Sequence, residues 1–357
     1  MKEDKNEIYL LHEYDVKIHF KALYDCAEEN NYIIKKYIIL SKKAILKKAA
    51  KSFLKEKKYF LSIKELIEDI YNLISFRNLK DKIFIVGIAP YDYLLNKYSK
   101  YIKKNRAIYF TSWQYWDGEN FPKGDISNKN KYEKLLKESF YGVACVTSIT
   151  EQYMKKFFKN TIVVNHAINV DTYKKKDLKN LNNIKKYLFL GSFDERKNIP
   201  LILDWIKSND LDFKFDFAGS GVLEERIIKL SEIDKRVNIL GRISKDRIKN
   251  ELKNYDYLVL PSKEEPFGIV LIEALAAGIP CITSNALGPI EIIKNNYNGF
   301  IFPKESNEKF DEVMKKTLYL KDEDYKIYSR NAFTSSKKYD SKILIKNWIK
   351  VIEGKNI

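Results

Sequence analysis

Short apolar runs recur along this chain, and the segments between them carry their apolar residues at helical spacing. That alternation of strand and helix calls for parallel sheets with helices on their faces. The runs are EIYLL, YIIKKYIIL, IFIVGIAP, RAIYF, VACVTS and TIVV, then YLFLG, FKFDFAG, VNILG, YLVLPS, PCITS and GFIFP. Helical segments fall at 18–30, 41–60, 62–75, 91–104, 131–140 and 150–158, then at 198–208, 222–231, 244–253, 268–277 and 289–294. The basic, polar stretch 171–186 separates the two series and reads as a linker. At 357 residues the chain exceeds what one core usually holds. Two doubly wound, Rossmann-like α/β domains are therefore expected, 1–173 and 174–335, with a tail 336–357 whose segment 341–354 has an apolar stripe of its own to bury.

Several function classes drop out early. The composition, 45% apolar and 32% charged, is that of a chain able to bury large cores. No apolar run approaches the roughly 18 residues that span a bilayer, and the acidic start MKEDKNEIYLLHEYD is no signal peptide, so a cytoplasmic protein is expected. Cys26, Cys145 and Cys281 lie far apart, and His12, His19 and His166 show no paired spacing, so neither a disulfide framework nor a metal site is expected. The net charge of +17 is concentrated in residues 1–186, which hold 37 basic and 22 acidic side chains against 28 and 26 beyond. None of the base-reading modules accompanies that charge, so no specific nucleic-acid partner is expected. Glycine is skewed the other way: nine of thirteen stand at or beyond Gly191, which places close backbone approaches to a ligand in the second half.

The chemistry concentrates in YDYLVLPSKEEPFGIVLIEALAAGIPCITS, residues 255–284. A buried strand runs into a polar loop, and a glycine turn then opens a nearly all-apolar helix. The amides of Phe267, Gly268 and Ile269, with the positive end of the helix dipole, suit a phosphate; the plain alternative is an ordinary turn. Glu273 is the one polar side chain in an apolar helix and needs a partner, either a ligand hydroxyl or a backbone amide or lysine. Glu265 lies eight positions earlier, so two carboxylates bracket the anion site.

Glu265-x7-Glu273 in EEPFGIVLIEALAAGIPCI, followed by GPIEIIKNNYNGFIF, resembles the retaining glycosyltransferases of family four. The likeness runs through YLFLGSFDERKNIPLIL, GSG at 219–221 and NILGRIS at 238–244, and VVNHAINVDTY at 163–173 is similar to the segment that joins the two domains in that family. The resemblance implies the GT-B architecture: two Rossmann-like domains facing a cleft, with a C-terminal helix crossing back to the first. It implies a hexosyltransferase that moves a sugar with retention, without metal or other cofactor, from a nucleoside-diphosphate donor of the UDP or GDP type to a glycan, polysaccharide or lipid-linked hydroxyl. Carried over by position, Glu265 holds sugar hydroxyls and Glu273 the ribose. Phe267, Gly268 and Ile269 offer amides, Gly241 and Arg242 lie beside the base, and Lys197, helped by Arg196, meets the diphosphate.

Three departures stand out. Ser192 occupies the place of the family's phosphate-binding arginine, HEYDVKIHF at 12–20 replaces its glycine-rich loop, and no histidine stands near Ser112, where the family has one. They motivate a rival reading as a non-catalytic nucleotide-sugar-binding or scaffold protein of the same fold. YFTSWQYWDG at 109–118 nevertheless follows a strand and offers aromatic faces suited to sugar rings, so Trp113, Asp117 and Ser112 are expected on the acceptor side, or else the aromatics pack on a neighbouring helix. Residues 41–60 carry eight lysines and one glutamate around an apolar face. They form a basic amphipathic helix that either rests on an anionic membrane surface or packs on the core with its lysines in solvent.

Overall fold

The computed structural model describes residues 7–12, 17–38, 78–87, 93–112, 129–181 and 184–354. The expected basic helix 41–60, the segment 62–75, Trp113 and Asp117 lie outside these residues. The described chain forms two compact units, one of Met1–Asn165 with Leu344–Ile357 and the other of His166–Ile343.

In the first unit the elements are β1 (Glu7–His12), α1 (Lys21–Glu29), β2 (Ile33–Ile38), β3 (Ile83–Gly87), α2 (Tyr93–Ile102), β4 (Arg106–Thr111), α3 (Lys129–Ser139), β5 (Gly142–Cys145), α4 (Ser148–Met154) and β6 (Thr161–Val163). The strands make one parallel sheet in the order β2-β1-β3-β4-β5-β6. Parallel strands covered on both faces read as continuous apolar runs, which is why IFIVG and RAIYF were legible as strands. Phe84, Val86, Tyr109 and Val143 pack on one face with Tyr98, Ile102 and Leu136. At the edge, β2 exposes Lys35 and Lys36, charges that discourage pairing with a further strand.

The second unit holds β7 (Lys185–Ser192), α5 (Ile199–Lys207), β8 (Phe213–Ser220), α6 (Glu224–Ile233), β9 (Val237–Gly241), α7 (Lys245–Glu251), β10 (Tyr257–Leu260), α8 (Ile269–Ala276), β11 (Cys281–Ser284), α9 (Pro289–Ile292), β12 (Gly299–Phe302), α10 (Asn307–Leu318) and α11 (Asp322–Ser336). Its sheet is again parallel, ordered β12-β11-β10-β7-β8-β9. From β7 the chain builds outward through β8 and β9, then returns to start the other side at β10. The reversal of strand order therefore falls between β7 and β10, the place where such sheets open a crevice beyond the carboxyl ends of their strands. Tyr187 on β7 stacks on Tyr257 of β10 and Phe215 of β8 at 5.6 and 5.9 Å, which fills the core beneath that point.

The stretch 171–186, expected as a linker, is part of the second unit. Lys176 donates its backbone N–H to the Ala277 carbonyl, and its ammonium lies 3.0 Å from Asp256 with both side chains buried. A buried ion pair of this kind holds a segment in place, because separating the partners would leave an unpaired charge in the interior. The helix α12 (Ser341–Glu353) follows, and from Leu344 onward it belongs to the first unit. There Trp348 is buried, with ring centroids 6.0 Å from Phe110 and 6.2 Å from Phe20, and Asn347 donates to the Val163 carbonyl. The three cysteines are free and buried; desolvation pushes the Cys26 thiol up to about 11.

Candidate active site

The loop between β10 and α8 carries Glu265. α8 starts at Gly268, whose φ of +94° is left-handed and whose amide end no side chain caps. A Cβ there would be strained and would meet Leu271 at 2.9 Å, so glycine suits this turn. Below the turn, Leu271 through Ala276 are all buried, which fixes the helix against the sheet. Phe267 is buried rather than presented to solvent; its ring packs edge-on against His166 at 5.1 Å and Tyr339 at 5.8 Å. What this residue can offer a ligand is its backbone.

Across the strand-order reversal, the loop after β7 meets the loop after β10. Lys263 donates its N–H to the Arg196 carbonyl at 2.8 Å, Arg196 Nη1 donates to the Glu264 carbonyl at 3.2 Å, and Lys197 Nζ pairs with Glu265 Oε2. The turn that presents Lys197 is locked by Asp194, whose Oδ1 accepts the Lys197 N–H at 2.9 Å, and Asn198 follows in a left-handed conformation. On the far side, the Glu265 carbonyl accepts the N–H of Gly288, ahead of α9. Two basic residues and a carboxylate thus stand on loops held by backbone hydrogen bonds, a rigid mounting for a charged ligand. Arg196 itself is directed to Asp194, at 3.8 Å, and to the Glu264 carbonyl. Ser192 donates its hydroxyl to Asp194 at 2.7 Å, so at this position the chain offers a hydroxyl where the resemblance leads one to expect a guanidinium.

Beside these loops is a cavity of about 330 Å³ lined by Leu190, Gly191, Ser192, Ala218, Gly219, Ser220, Arg242 and Ile243. Its walls are the carboxyl ends of β7 and β8 and the turn after β9. It brings together Ser192 and Arg242 from the expected set. Arg242 donates Nε to Ser220 Oγ at 2.6 Å, and Gly241 before it has a φ of +64°. β8 runs hard against β7 in this wall: a Cβ on Gly219 would lie 1.8 Å from the Gly191 carbonyl oxygen.

Glu273 is 1% exposed. Its Oε1 accepts from the Tyr173 hydroxyl at 3.0 Å and from Lys245 Nζ at 2.9 Å, while Oε2 is buried and has no hydrogen-bond partner among the described residues. The lysine alternative expected for Glu273 is therefore met at one oxygen only. Burial, reinforced by the Glu273 carboxylate, pushes the Tyr173 phenol up, so it remains a donor. No site role was expected from the sequence for Tyr173, Lys245 or Ser220. Tyr173 ends the INVDTY segment far from Glu273 in sequence, and one lysine among 65 basic residues carries no signal. Ser112 is half-buried at the end of β4 in the first unit.

Residues 170–334 match the sequence family of glycosyl transferases group 1. An uncharacterized glycosyltransferase of Methanocaldococcus jannaschii is 28% identical over 216 residues, 59% of this chain and 57% of that protein. The UDP-Gal:alpha-D-GlcNAc-diphosphoundecaprenol alpha-1,3-galactosyltransferase of Escherichia coli is 32% identical over 154 residues, 40% of this chain and 39% of that protein. The chain thus spans under two thirds of the length of either relative. Among solved structures, Anabaena HepE in complex with UDP and glucose shares the fold, with a TM-score of 0.72 at 14% identity over 98% of this chain and 100% of that one. The two six-stranded parallel sheets with flanking helices are those of the GT-B fold. Residues 170–334 make up most of the second unit, so the similarity to glycosyl transferases group 1 lies there.

Proposed function

We propose that this protein transfers a sugar, with retention, from a nucleoside-diphosphate donor of the UDP or GDP type to a hydroxyl of a glycan or lipid-linked saccharide. The observation that carries the reading is the meeting of Lys197 and Glu265 at the strand-order reversal of the second sheet, beside the uncapped start of α8. As the glycosidic bond breaks, negative charge builds on the departing diphosphate. The Lys197 ammonium and the amides at Gly268 and Ile269 are fixed donors for it and require no rearrangement at that moment. Glu265 then turns from Lys197 to the sugar hydroxyls, and Glu273 receives the ribose. The cavity at Ser192 and Arg242 takes the nucleoside. The leaving phosphate oxygen helps deprotonate the incoming hydroxyl on the same face, which is how configuration is retained without a protein base. A relative supports an acceptor of this class: the Escherichia coli protein acts on a diphosphoundecaprenol-linked sugar.

Thermal unfolding in the presence of UDP, GDP or ADP tests the donor site, because a ligand of the native state raises the melting temperature. One of the three is expected to do so. Glu265→Ala should keep that shift and lower turnover of the matching nucleotide sugar by about a hundredfold, since it misplaces the sugar and leaves the diphosphate site intact. No shift with any nucleotide, or full turnover by Glu265→Ala, would sink the proposal. A shift without turnover in the parent protein would favour the scaffold reading.

A further inference from the structure

Glu273 is unusual in how its two oxygens are divided. Oε1 is saturated by two donors, and Oε2 has none among the described residues although it is buried. The donors arrive from separate places. Lys245 opens α7, and Tyr173 ends the short 3-10 turn Val170–Thr172. The segment bearing Tyr173 is pinned on both sides: Lys174 donates its N–H to the Lys249 carbonyl of α7 at 2.9 Å, and Lys176 donates to Ala277 just past α8. Tyr173 is 6% exposed and Lys245 about half exposed, so the phenol is the fixed partner and the ammonium the adjustable one.

A carboxylate left alone in a cavity wall can rotate and split a ligand's hydroxyls between its oxygens. Here the rotation is blocked, because turning Glu273 would break two hydrogen bonds in a buried place, and a carboxylate oxygen buried without a partner is costly. We propose that Tyr173 is a positioning residue: by occupying Oε1 together with Lys245, it aims Oε2 of Glu273 as the single acceptor that reads a ribose hydroxyl of the nucleotide. The proposal rests on the reading of Glu273 as the ribose-holding residue. It goes further in assigning discrimination between ribose and deoxyribose to a hydroxyl on the segment 166–181, outside the sheet and its helices. A site whose buried acceptor expects a hydroxyl rejects the analogue that lacks it, because the acceptor is then left unpaired.

The experiment uses the full chain and the nucleotide among UDP, GDP and ADP that binds it, with the 2′-deoxy and 3′-deoxy forms of that nucleotide as probes. The parent protein should bind the ribonucleotide at least about tenfold tighter than one of the deoxy forms. Tyr173→Phe keeps the ring and removes the hydroxyl. It should weaken ribonucleotide binding by about tenfold and leave the affinity for the deoxy form within about twofold, so that discrimination collapses. Glu273→Gln should behave in the same way, and the double variant should lose no more than either single one, because both act through one contact. Equal loss for ribo and deoxy forms in Tyr173→Phe, or unchanged discrimination, overturns the role given to Tyr173 while the ribose reading stands. A parent protein that does not discriminate overturns the ribose reading itself and this inference with it.

Discussion

Arg236 shows how much a single residue can organise. It sits in the turn between α6 and β9, gives Nε and Nη2 to Asp234 at 3.0 and 2.7 Å, and also donates to the carbonyls of Ile206 and Leu211. The charge-assisted bonds from Arg236 hold the Asp234 carboxyl below its ordinary value of 3.8. A carboxyl depressed in the folded state contributes stability that is present above 3.8 and lost as pH falls through the folded value. Asp234→Asn is therefore expected to cost about 1–2 kcal/mol at neutral pH. The gap from the parent protein, read by denaturant unfolding, should narrow on acidification below about pH 4; a gap constant down to pH 2 would contradict the assignment. Legibility at this scale was uneven. Glu273 could be found because an acid inside an apolar run is improbable without a reason, and Glu265 by its place in the polar loop eight positions earlier. Tyr173 and Lys245 could not, since nothing local distinguishes a partner supplied by a remote segment. Arg196 looked like a phosphate ligand by its place beside Lys197, but the structure directs its guanidinium to Asp194 and the Glu264 carbonyl, which position alone does not reveal.

At the scale of elements, α8 depends on its first residue. Gly268→Ala forces a side chain into a left-handed position, with an expected cost of about 1–2 kcal/mol. It should also shrink the melting shift given by the bound nucleotide, because the amides at the start of the helix are re-aimed. A variant that loses stability and keeps the full shift would argue that those amides do not touch the ligand. The strands of both sheets were readable because burial on two faces leaves them almost wholly apolar. α10 and α11 were not read at all. α10 buries only Phe310, Met314 and Thr317, and the buried stripe of α11 is Tyr325, Ser329, Ala332 and Ser336. Small hydroxyl residues serve there because Ser329 donates to the Gly278 carbonyl and packs close to it, so the periodicity exists without the hydrophobicity that would announce it.

For the whole molecule, the division into two units falls at Asn165 and Leu344, whereas the sequence suggested 173 and 335. A basic polar stretch reads as a linker in sequence; here the buried Lys176–Asp256 pair makes it part of a core. α12 carries the matching lesson, since an apolar stripe announces that something must cover it but not which unit does so. Trp348→Ala removes the ring that lies on Phe20 and Phe110 and is expected to destabilise the first unit by about 3–5 kcal/mol. Hydrogen exchange should show that loss in β1, β3 and β4 while β7, β8 and β10 keep their protection; uniform loss across both sets would contradict the assignment of Leu344–Ile357 to the first unit.

The placement of Trp348 also orders events during synthesis. As the chain leaves the ribosome, the strands of the first sheet appear early, but the indole that closes one of its faces is translated only after every strand of the second sheet. Until then Phe20 and Phe110 lack that cover, while His166–Ile343 already has all its own strands and can fold as an independent body. The half made first is thus the half completed last, and it is the one exposed to chaperones or to aggregation while translation continues.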